Sequence, residues 1–435
     1  MPSTLSLLQD ALGEAVSVDP DRLRAARSDK SGHLAPGTPL AVITARSVDD
    51  VREVMRIASR THTPVVTRGG GTGLAGGAIA SDGEIVLSTL AMNRVLEVSP
   101  DDAVAVVEPG IINAELNAQL EAAGLWFAPD PASRDTCTVG GNIATNAGGL
   151  LCAKYGVTRD AVLGLKVVLA DGTLLELGHR TIKGVTGLDL TALMIGSEGT
   201  LGVIVQATLR LRPRVAGPVP TISASFLSVQ TAAACSAAIG SRFTPAIMEL
   251  IGESAMAGIA EHLGIGHPGG SQLILQFDGA GAQAQAEEAL ALVRAGGGEA
   301  LLSIDPIESE RLFATRRAFH PAMAVRGTVL IEDVCVPRSK LAPMFAEIAA
   351  IEQRFGIEIP TVAHAGDGNL HPNFVFEGPD VPEQIWQAAD ELFLAALRLG
   401  GTLTGEHGIG LLKRRWLKQE LGEDQFELQK RIKAV

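Results

Sequence analysis

The sequence is short of several residue types, and each shortage excludes a class of protein. One tyrosine and 4% aromatic residues in 435 positions are too few for a surface that stacks on nucleic-acid bases. Basic residues number 36 against 49 acidic ones, so the formal net charge of −13 gives a nucleic-acid partner little electrostatic support. No apolar run approaches the roughly 20 residues that a membrane-spanning helix needs. We therefore expect no nucleic-acid partner and no membrane span.

Cysteine is also scarce. The four cysteines share no CxxC spacing and stand at Cys137, Cys152, Cys235 and Cys335. This scatter indicates neither a disulfide framework nor a zinc knuckle. Residues 1–16 carry Asp10 and Glu14 and lack the basic start of a signal peptide. Together these features predict reduced thiols and a cytoplasmic protein.

The length and the composition of the chain indicate more than one domain. With 435 residues, 46% apolar and 20% charged, it is a globular sequence long enough for two or three cores. The proline-punctuated stretch Arg212–Pro220 marks a shift in composition. We place the boundary there and predict one domain over residues 1–215 and a second over residues 216–435.

The pattern of apolar residues predicts an α+β fold. In the first part, helix Val48–His62 separates strands Leu40–Ser47 and Pro64–Arg68, and Asp171-Gly172 predicts the turn of a β-hairpin. In the second part, strand-like segments alternate with alanine-rich helices, which favours an antiparallel sheet. The predicted strands of the second part are Thr221–Leu227, Leu273–Phe277 and Val329–Val336.

The first glycine loop, Arg68–Gly77, contains Gly71-x-Gly73-x-x-Gly76 and so formally matches the dinucleotide fingerprint. That fingerprint requires a helix immediately afterwards, whereas here a turn and the strand-like stretch Glu84–Ser88 follow. The Rossmann interpretation therefore fails on context. Successive backbone N–H groups without Cβ atoms can still form an anion-binding nest for a pyrophosphate. The alternative from the residues alone is a flexible surface loop.

Two further glycine-rich segments repeat this chemistry. The second glycine loop, Pro129–Gly149, adds hydroxyl and amide side chains, and the third glycine loop is Gly196–Ile204. One such loop is weak evidence of a nucleotide site. Three in one half of the chain, each next to predicted strands, are a much more specific signal.

With these three loops the sequence resembles the vanillyl-alcohol oxidase superfamily of flavoproteins. Within it, the chain is most similar to the branch of the glycolate oxidase catalytic subunit, D-lactate dehydrogenase and D-2-hydroxyglutarate dehydrogenase. The resemblance covers residues 35 to 420. It implies a two-part FAD-binding domain of the PCMH (p-cresol methylhydroxylase) type, followed by a ferredoxin-like, antiparallel-sheet substrate or cap domain.

The resemblance also implies which residues contact FAD. In the first glycine loop these are Arg68, Gly69, Gly70, Gly71, Thr72, Gly73 and Leu74. In the second and third loops they are Pro129, Thr138, Gly141, Asn142, Thr145 and Ile204. Because no histidine or cysteine lies in the first loop, we predict that FAD is bound non-covalently, with Cys137 as the alternative point of attachment.

Three histidines and one glutamate fall in two short glycine-rich turns. His364 and His371 flank one turn, and Glu406 and His407 lie in the Gly405–Gly410 turn. Spacing alone leaves two interpretations open: a metal site, or histidines that stabilise loops by hydrogen bonding. The resemblance implies the first, a divalent zinc or manganese ion held by His364, His371 and Glu406.

The resemblance further implies how a substrate is held. It gives His407 and Asn373 contacts with the substrate, with His407 as the general base, and pairs Arg316 with the substrate carboxylate, a role that suits a guanidinium. From the residues alone, Arg316 fits a solvated helix face equally. The dicarboxylate-using branch carries a lysine in the strand matching Val329–Asp333; none is present here, which favours a small monocarboxylate such as lactate or glycolate. The family also continues past the position of Val435 with a closing segment.

We therefore expect an FAD-dependent dehydrogenase of a small D-2-hydroxy acid, with a dicarboxylate such as 2-hydroxyglutarate as the alternative. Its expected electron acceptor is a quinone, a cytochrome or an electron-transfer flavoprotein, and a homodimer or partner subunits stay open. Two rivals share the architecture. An ether-lipid synthase needs a histidine run that Gly405–Gly410 lacks, and a non-catalytic flavin subunit would lack His364, His371 and Glu406.

Overall fold

The computed structural model describes residues 2–266, 269–378 and 380–435. Its strands are β1 (Val16–Ser17), β2 (Ala41–Thr44), β3 (Val65–Arg68), β4 (Ile85–Ser88), β5 (Val95–Ser99), β6 (Val104–Val107), β7 (Leu125–Trp126), β8 (Val162–Val168), β9 (Leu174–Gly178), β10 (Val203–Arg210), β11 (Arg212–Pro213), β12 (Thr221–Phe226), β13 (Ile247–Ile251), β14 (Ser271–Gln276), β15 (Glu299–Ser303), β16 (Thr328–Ile331), β17 (Val334–Cys335), β18 (Thr361–His364) and β19 (Asn369–Phe376). Its helices are α1 (Thr4–Leu12), α2 (Pro20–Ala25), α3 (Val48–Thr61), α4 (Asn113–Leu120), α5 (Val139–Thr145), α6 (Cys152–Tyr155), α7 (Leu190–Met194), α8 (Val229–Gly240), α9 (Glu253–Leu263), α10 (Ala282–Ala295), α11 (Pro306–Arg317), α12 (Phe319–Ala324), α13 (Leu341–Phe355), α14 (Glu383–Arg398) and α15 (Arg414–Ala434), the last kinked at Gly422.

The chain divides into two closely packed units, and neither is one continuous stretch. The first unit comprises residues 2–149, Gly156–Arg214 and Glu406–Val435; the second comprises Leu150–Tyr155 and Val215–Gly405. The short stretch Leu150–Tyr155 is held in the second unit by Asp278, which accepts hydrogen bonds from the Tyr155 hydroxyl at 2.5 Å and from the Lys154 ammonium. The predicted division between residues 215 and 216 stays a prediction, since these units interleave along the chain.

The first unit contains two main sheets. One has the order β1-β2-β4-β3, with β2 and β3 both parallel to β4, and the other is antiparallel in the order β5-β6-β10-β8-β9. The predicted helix Val48–His62 is confirmed as α3, which begins where the Ser47 hydroxyl accepts from the Asp50 N–H. The predicted hairpin is confirmed as β8–β9, with Gly172 in its turn at φ 82°.

The context of the first glycine loop is as predicted. The loop leaves β3 and the chain returns as β4, with no helix in the described residues between them. Because β3 and β4 are neighbouring parallel strands, the loop lies at the end of a sheet. The rejection of the Rossmann interpretation is therefore confirmed.

The second unit is built on one antiparallel sheet in the order β15-β12-β14-β13-β18-β19-β16, with β17 also paired to β19. The predicted antiparallel arrangement is confirmed. One face of this sheet packs against α9, α11 and α12, with Ile247, Ile251, Val362 and Phe319 in the contact. The predicted single strand Val329–Val336 is wrong in detail: β16 and β17 are separate strands.

No helix within the described ranges is both long enough and apolar enough to cross a membrane.

Candidate functional site

A row of polar side chains lies on the face of the second unit's sheet that packs against α9, α11 and α12. Glu249 in β13 pairs directly with His364 in β18, and His371 in β19 pairs with Val362, two residues from His364. Side chains alternate between the faces of a strand, so all three polar side chains share the face of Ile247 and Ile251. Strand register therefore brings the two predicted histidines together.

The two histidines of this row are placed so that both could bind one metal ion. Glu249 is fully buried, and one of its carboxylate oxygens lies 2.5 Å from His364 Nδ1. A carboxylate only accepts hydrogen bonds, so His364 Nδ1 donates to Glu249, and this bond orients the ring. His364 Nε2 lies 3.1 Å from His371 Nε2. Two nitrogens bound to one ion at about 2.0–2.1 Å and an angle of about 90–110° are roughly 2.9–3.4 Å apart, so the pair fits one ion.

Arg316, near the end of α11, reaches the same carboxylate. Its Nε donates to Glu249 Oε2 at 2.6 Å, and the residue is 8% exposed, so it does not lie on a solvated helix face. The two terminal nitrogens of its guanidinium donate no hydrogen bond to the described residues. They are therefore left for an external acceptor. Burial raises the pKa of Glu249, but His364 and Arg316 more than offset this and hold it below its usual range.

Asn373 lies two residues beyond His371 on the same face of β19. It is fully buried, and its amide nitrogen donates to the His371 carbonyl oxygen at 2.9 Å. Its side-chain oxygen accepts no hydrogen bond within the described part of the chain. A buried polar atom without a partner costs about 1–3 kcal/mol, so this oxygen is suited to receive a ligand's donor.

Glu406 and His407 follow the last residue of the second unit and begin the last segment of the first. His407 Nε2 lies 3.7 Å from Glu406 Oε1. Beyond them, the N–H groups of Ile409 and Gly410 each donate to the Glu198 carboxylate at 2.7 Å. The Gly405–Gly410 turn is therefore attached to the third glycine loop, which contains Glu198.

The three glycine loops converge within the first unit. A Cβ atom on Gly69 would lie 2.2 Å from the Thr138 hydroxyl, and one on Gly70 would lie 2.3 Å from the Thr136 carbonyl oxygen. The first loop thus packs on the second with room for glycine alone. The Glu198 N–H in turn donates to Ala144 at the end of α5, which joins the third loop to the second. The three glycine-rich segments are therefore in contact within one unit.

Other predicted cofactor residues shape these loops. Thr138 caps α5 by accepting from the Gly141 N–H at 3.1 Å, and Thr145 donates back to the Gly141 carbonyl at the other end of that helix. Arg68 donates to the Ala78 carbonyl at 2.7 Å, and burial lowers the pKa of its guanidinium. The remaining predicted residues lie in the same unit and are Gly71, Thr72, Gly73, Leu74, Pro129, Asn142 and Ile204.

Cys137, the alternative point of flavin attachment, is a poor nucleophile in this position. Its side chain is 2% exposed, and burial raises the pKa of its thiol. The thiolate is the reactive form of cysteine, so this environment disfavours covalent attachment.

Sequence reasoning missed three carboxylates that hold the site: Glu198, Glu249 and Asp333. Asp333 is fully buried and accepts from Asn369 Nδ2, the Thr404 hydroxyl and the Gly405 N–H. A signal was present for two of them. Glu249 interrupts the apolar strand Ile247–Ile251 and Asp333 follows an apolar strand, and a charged residue in such a context marks a functional position.

Comparison with known families covers most of the chain. Residues 39–178 match the family described as the FAD binding domain. Residues 218–435 match the family described as FAD linked oxidases, C-terminal domain.

Individual relatives align over most of their length. Glycolate oxidase subunit GlcD of Bacillus subtilis is 36% identical over 91% of this chain and 86% of the relative. D-lactate dehydrogenase of Archaeoglobus fulgidus is 34% identical over 91% and 88%. D-2-hydroxyglutarate dehydrogenase of Stutzerimonas stutzeri is 32% identical over 97% and 93%. The resemblance drawn from the glycine loops is confirmed.

Solved structures agree on the fold. p-Cresol methylhydroxylase superposes with a TM-score of 0.79 at 16% identity, over 99% of this chain and 93% of that one. Alkyldihydroxyacetonephosphate synthase superposes with a TM-score of 0.75 at 18% identity, over 100% and 84%. At these identities the likeness concerns the fold alone, and the predicted α+β, PCMH-type architecture is confirmed.

Proposed function

The chain belongs to the FAD-linked oxidases, and from this premise we propose that it oxidises a small D-2-hydroxy acid, such as lactate or glycolate, to the 2-oxo acid. The observation that carries the proposal is the buried row on one sheet face of the second unit. There, Glu249 aligns one imidazole of a histidine pair and holds a guanidinium, and Asn373 presents an acceptor oxygen. A carboxylate beside a hydroxyl is the substrate chemistry that these groups match.

The donor set supports a divalent ion. His364 and His371 would hold it through their Nε2 atoms, and we propose that Glu406 supplies a third ligand. Glu406 directly follows Gly405, whose N–H donates to the Asp333 carboxylate in the second unit. The backbone directly before Glu406 is therefore fixed. Two imidazoles and one carboxylate suit zinc or manganese.

Each residue then has a defined task. Arg316 binds the substrate carboxylate with its two terminal nitrogens, and Asn373 contacts the substrate beside it. His407 removes the hydroxyl proton as the C2–H bond breaks, so that a neutral carbonyl is formed. FAD, when bound, would supply the two-electron acceptor, and a divalent ion held by His364, His371 and Glu406 would supply Lewis acidity toward the substrate oxygens.

The choice of a monocarboxylate rests on the end of β16. No lysine lies in Val329–Asp333, and Glu332 and Asp333 there are buried acids. Two buried carboxylates give a second substrate carboxylate no partner. This argument favours lactate or glycolate over 2-hydroxyglutarate, the substrate in the name of one relative.

The deciding experiment is anaerobic mixing of the FAD-loaded protein with a panel of 2-hydroxy acids. The panel contains both enantiomers of lactate and 2-hydroxyglutarate, together with glycolate. We expect rapid bleaching of the flavin absorbance by D-lactate or glycolate. Faster bleaching by D-2-hydroxyglutarate would move the proposal to the dicarboxylate branch, and bleaching by none would refute it.

We propose that the electrons then pass to a quinone, a cytochrome or an electron-transfer flavoprotein, in a cytoplasmic setting that suits four scattered cysteines. NAD takes no part, because the first glycine loop lacks the helix of a dinucleotide site. With substrate present, the protein should reduce an artificial quinone and produce no NADH absorbance. Substrate-dependent formation of NADH would contradict this part of the proposal.

A further inference from the structure

Glu406 and His407, to which the proposed function gives the roles of ligand and base, lie in a glycine-rich turn. Gly405, Gly408 and Gly410 surround them, and Gly408 and Gly410 have positive φ angles of 86° and 48°. Glycine loses more conformational freedom on folding than any other residue, so a turn of this composition needs restraint from outside. Catalysis requires that restraint, since a displacement of about 1 Å costs on the order of 100-fold in rate.

The restraint before the dipeptide comes from Asp333, within the second unit. One carboxylate oxygen accepts from the Thr404 hydroxyl at 2.5 Å and from the Gly405 N–H at 3.0 Å. The other accepts from Asn369 Nδ2 at 2.5 Å. A Cβ atom on Gly405 would lie 2.3 Å from that same amide nitrogen, so glycine is required here. Asp333 thereby fixes the backbone directly before Glu406.

The restraint after the dipeptide comes from Glu198, within the first unit. Its two carboxylate oxygens accept separately from the consecutive N–H groups of Ile409 and Gly410, both at 2.7 Å. Glu198 has a φ of 51°, a left-handed conformation that is unfavourable for a residue with a side chain. A Cβ atom on Gly408 would lie 3.0 Å from the Glu198 carboxylate, so the glycine permits the approach.

We propose that Asp333 and Glu198 are positioning residues that fix Glu406 and His407 from both sides, each acting within its own unit. The inference rests on the proposed function for the roles of the dipeptide. Ionised carboxylates suit the task because they present several acceptors and no donor, and their hydrogen bonds are stronger than neutral ones. An amide in place of Glu198 would direct N–H groups at a backbone N–H.

The test uses Glu198→Gln in the full-length, FAD-loaded protein. The matched control is Glu108→Gln, because Glu108 is likewise a carboxylate of the first unit that accepts a backbone N–H, from Arg94. In single-turnover mixing, the rate constant for flavin reduction reports how fast the active molecules react. The amplitude of the absorbance change reports what fraction of the molecules is active. We expect Glu198→Gln to lower the rate constant at saturating substrate on the order of 100-fold with full amplitude. Glu108→Gln should keep the wild-type rate constant.

Hydrogen exchange provides a readout that needs no substrate. Peptides covering residues 406–413 should lose amide protection in Glu198→Gln and keep it in Glu108→Gln. A wild-type rate constant in Glu198→Gln, or unchanged protection, overturns the inference for Glu198. Asp333→Asn should weaken metal binding and leave the FAD content unchanged. A wild-type affinity for the metal in this variant overturns the inference for Asp333. If no 2-hydroxy acid reduces the wild-type flavin, the proposed function fails, while the exchange result still decides whether Glu198 fixes the segment.

Discussion

At the scale of single residues, Glu249 keeps its charge in a fully buried strand because His364 and Arg316 both face it. Removing one partner of a buried ion pair costs about 3–5 kcal/mol, since the other charge is left uncompensated. One residue thus contacts both the proposed metal-binding histidine and the proposed substrate-binding arginine.

Replacement of Glu249 by glutamine should weaken metal binding about 10- to 100-fold, the usual effect of losing a carboxylate behind a metal-bound histidine. His371→Ala, which removes a proposed ligand, should abolish stoichiometric metal. Elemental analysis and metal titration measure both, and FAD content should not change. Asp278→Asn is the control, because Asp278 pairs with Lys154 and Tyr155 in the same unit. Full metal occupancy in His371→Ala would remove the metal site from the proposal.

His407→Asn tests the base. Because general-base catalysis is worth on the order of 10²- to 10⁴-fold, flavin reduction should slow by that factor while FAD and metal remain bound. Stopped-flow mixing with saturating substrate measures the rate constant directly. Reduction at the wild-type rate would mean that His407 is structural and that another group takes the proton.

At the scale of elements, strands and helices with strong periodicity were predictable. Helix α3 and hairpin β8–β9 were predicted because their apolar spacing and their caps or turns are local in the sequence. Helix α5 was missed because Gly140 and Gly141 lower its intrinsic propensity. Its glycines are explained by packing: a Cβ atom on Gly140 would lie 2.5 Å from Pro109. That contact is distant in sequence and leaves no periodic signal.

The same limit explains the errors around the candidate site. Strand β19 begins at Asn369, directly after Gly368, whose φ of 94° ends the turn between the two histidines. The predicted strand Val329–Val336 is divided at Asp333, whose carboxylate accepts from the Thr404 hydroxyl and the Gly405 N–H. The histidines could be predicted from spacing and resemblance. The charge of Glu249 within an apolar strand was a signal, but its pairing with His364 could not be predicted, because the two residues are 115 positions apart.

Thr138 should be essential to the second glycine loop as the cap of α5. Thr138→Val preserves shape but removes the oxygen that accepts from Gly141, which costs about 0.5–2 kcal/mol of local stability. We expect weaker FAD binding, by up to about 30-fold if the whole cost falls on the loop. Titration of the apoprotein with FAD measures it. Thr138→Ser retains the oxygen and should bind normally; equal loss in both variants would argue against capping as the cause.

At the scale of the whole molecule, the candidate cofactor loops lie in the first unit, and the two candidate metal-binding histidines lie in the second. Loss of the metal should therefore leave FAD bound, and the burial of Cys137 disfavours a covalent bond to FAD. Denaturation followed by filtration should release all yellow colour from the polypeptide. Colour that stays with the polypeptide would contradict this and would direct attention to Cys137.

The interleaved path of the chain sets an order for its synthesis. The N–H groups of Leu411 and Leu412 donate to the carbonyl oxygen of Ala75 in the first glycine loop. A ribosome adds about 5–20 residues per second, so Leu411 and Leu412 are synthesised on the order of tens of seconds after Ala75. The second unit, which ends at Gly405, is fully synthesised before they emerge. We therefore expect a nascent chain stalled before residue 406 to have formed the sheet that carries His364 and His371. Its flavin domain would still lack the hydrogen bonds from Leu411 and Leu412 to Ala75.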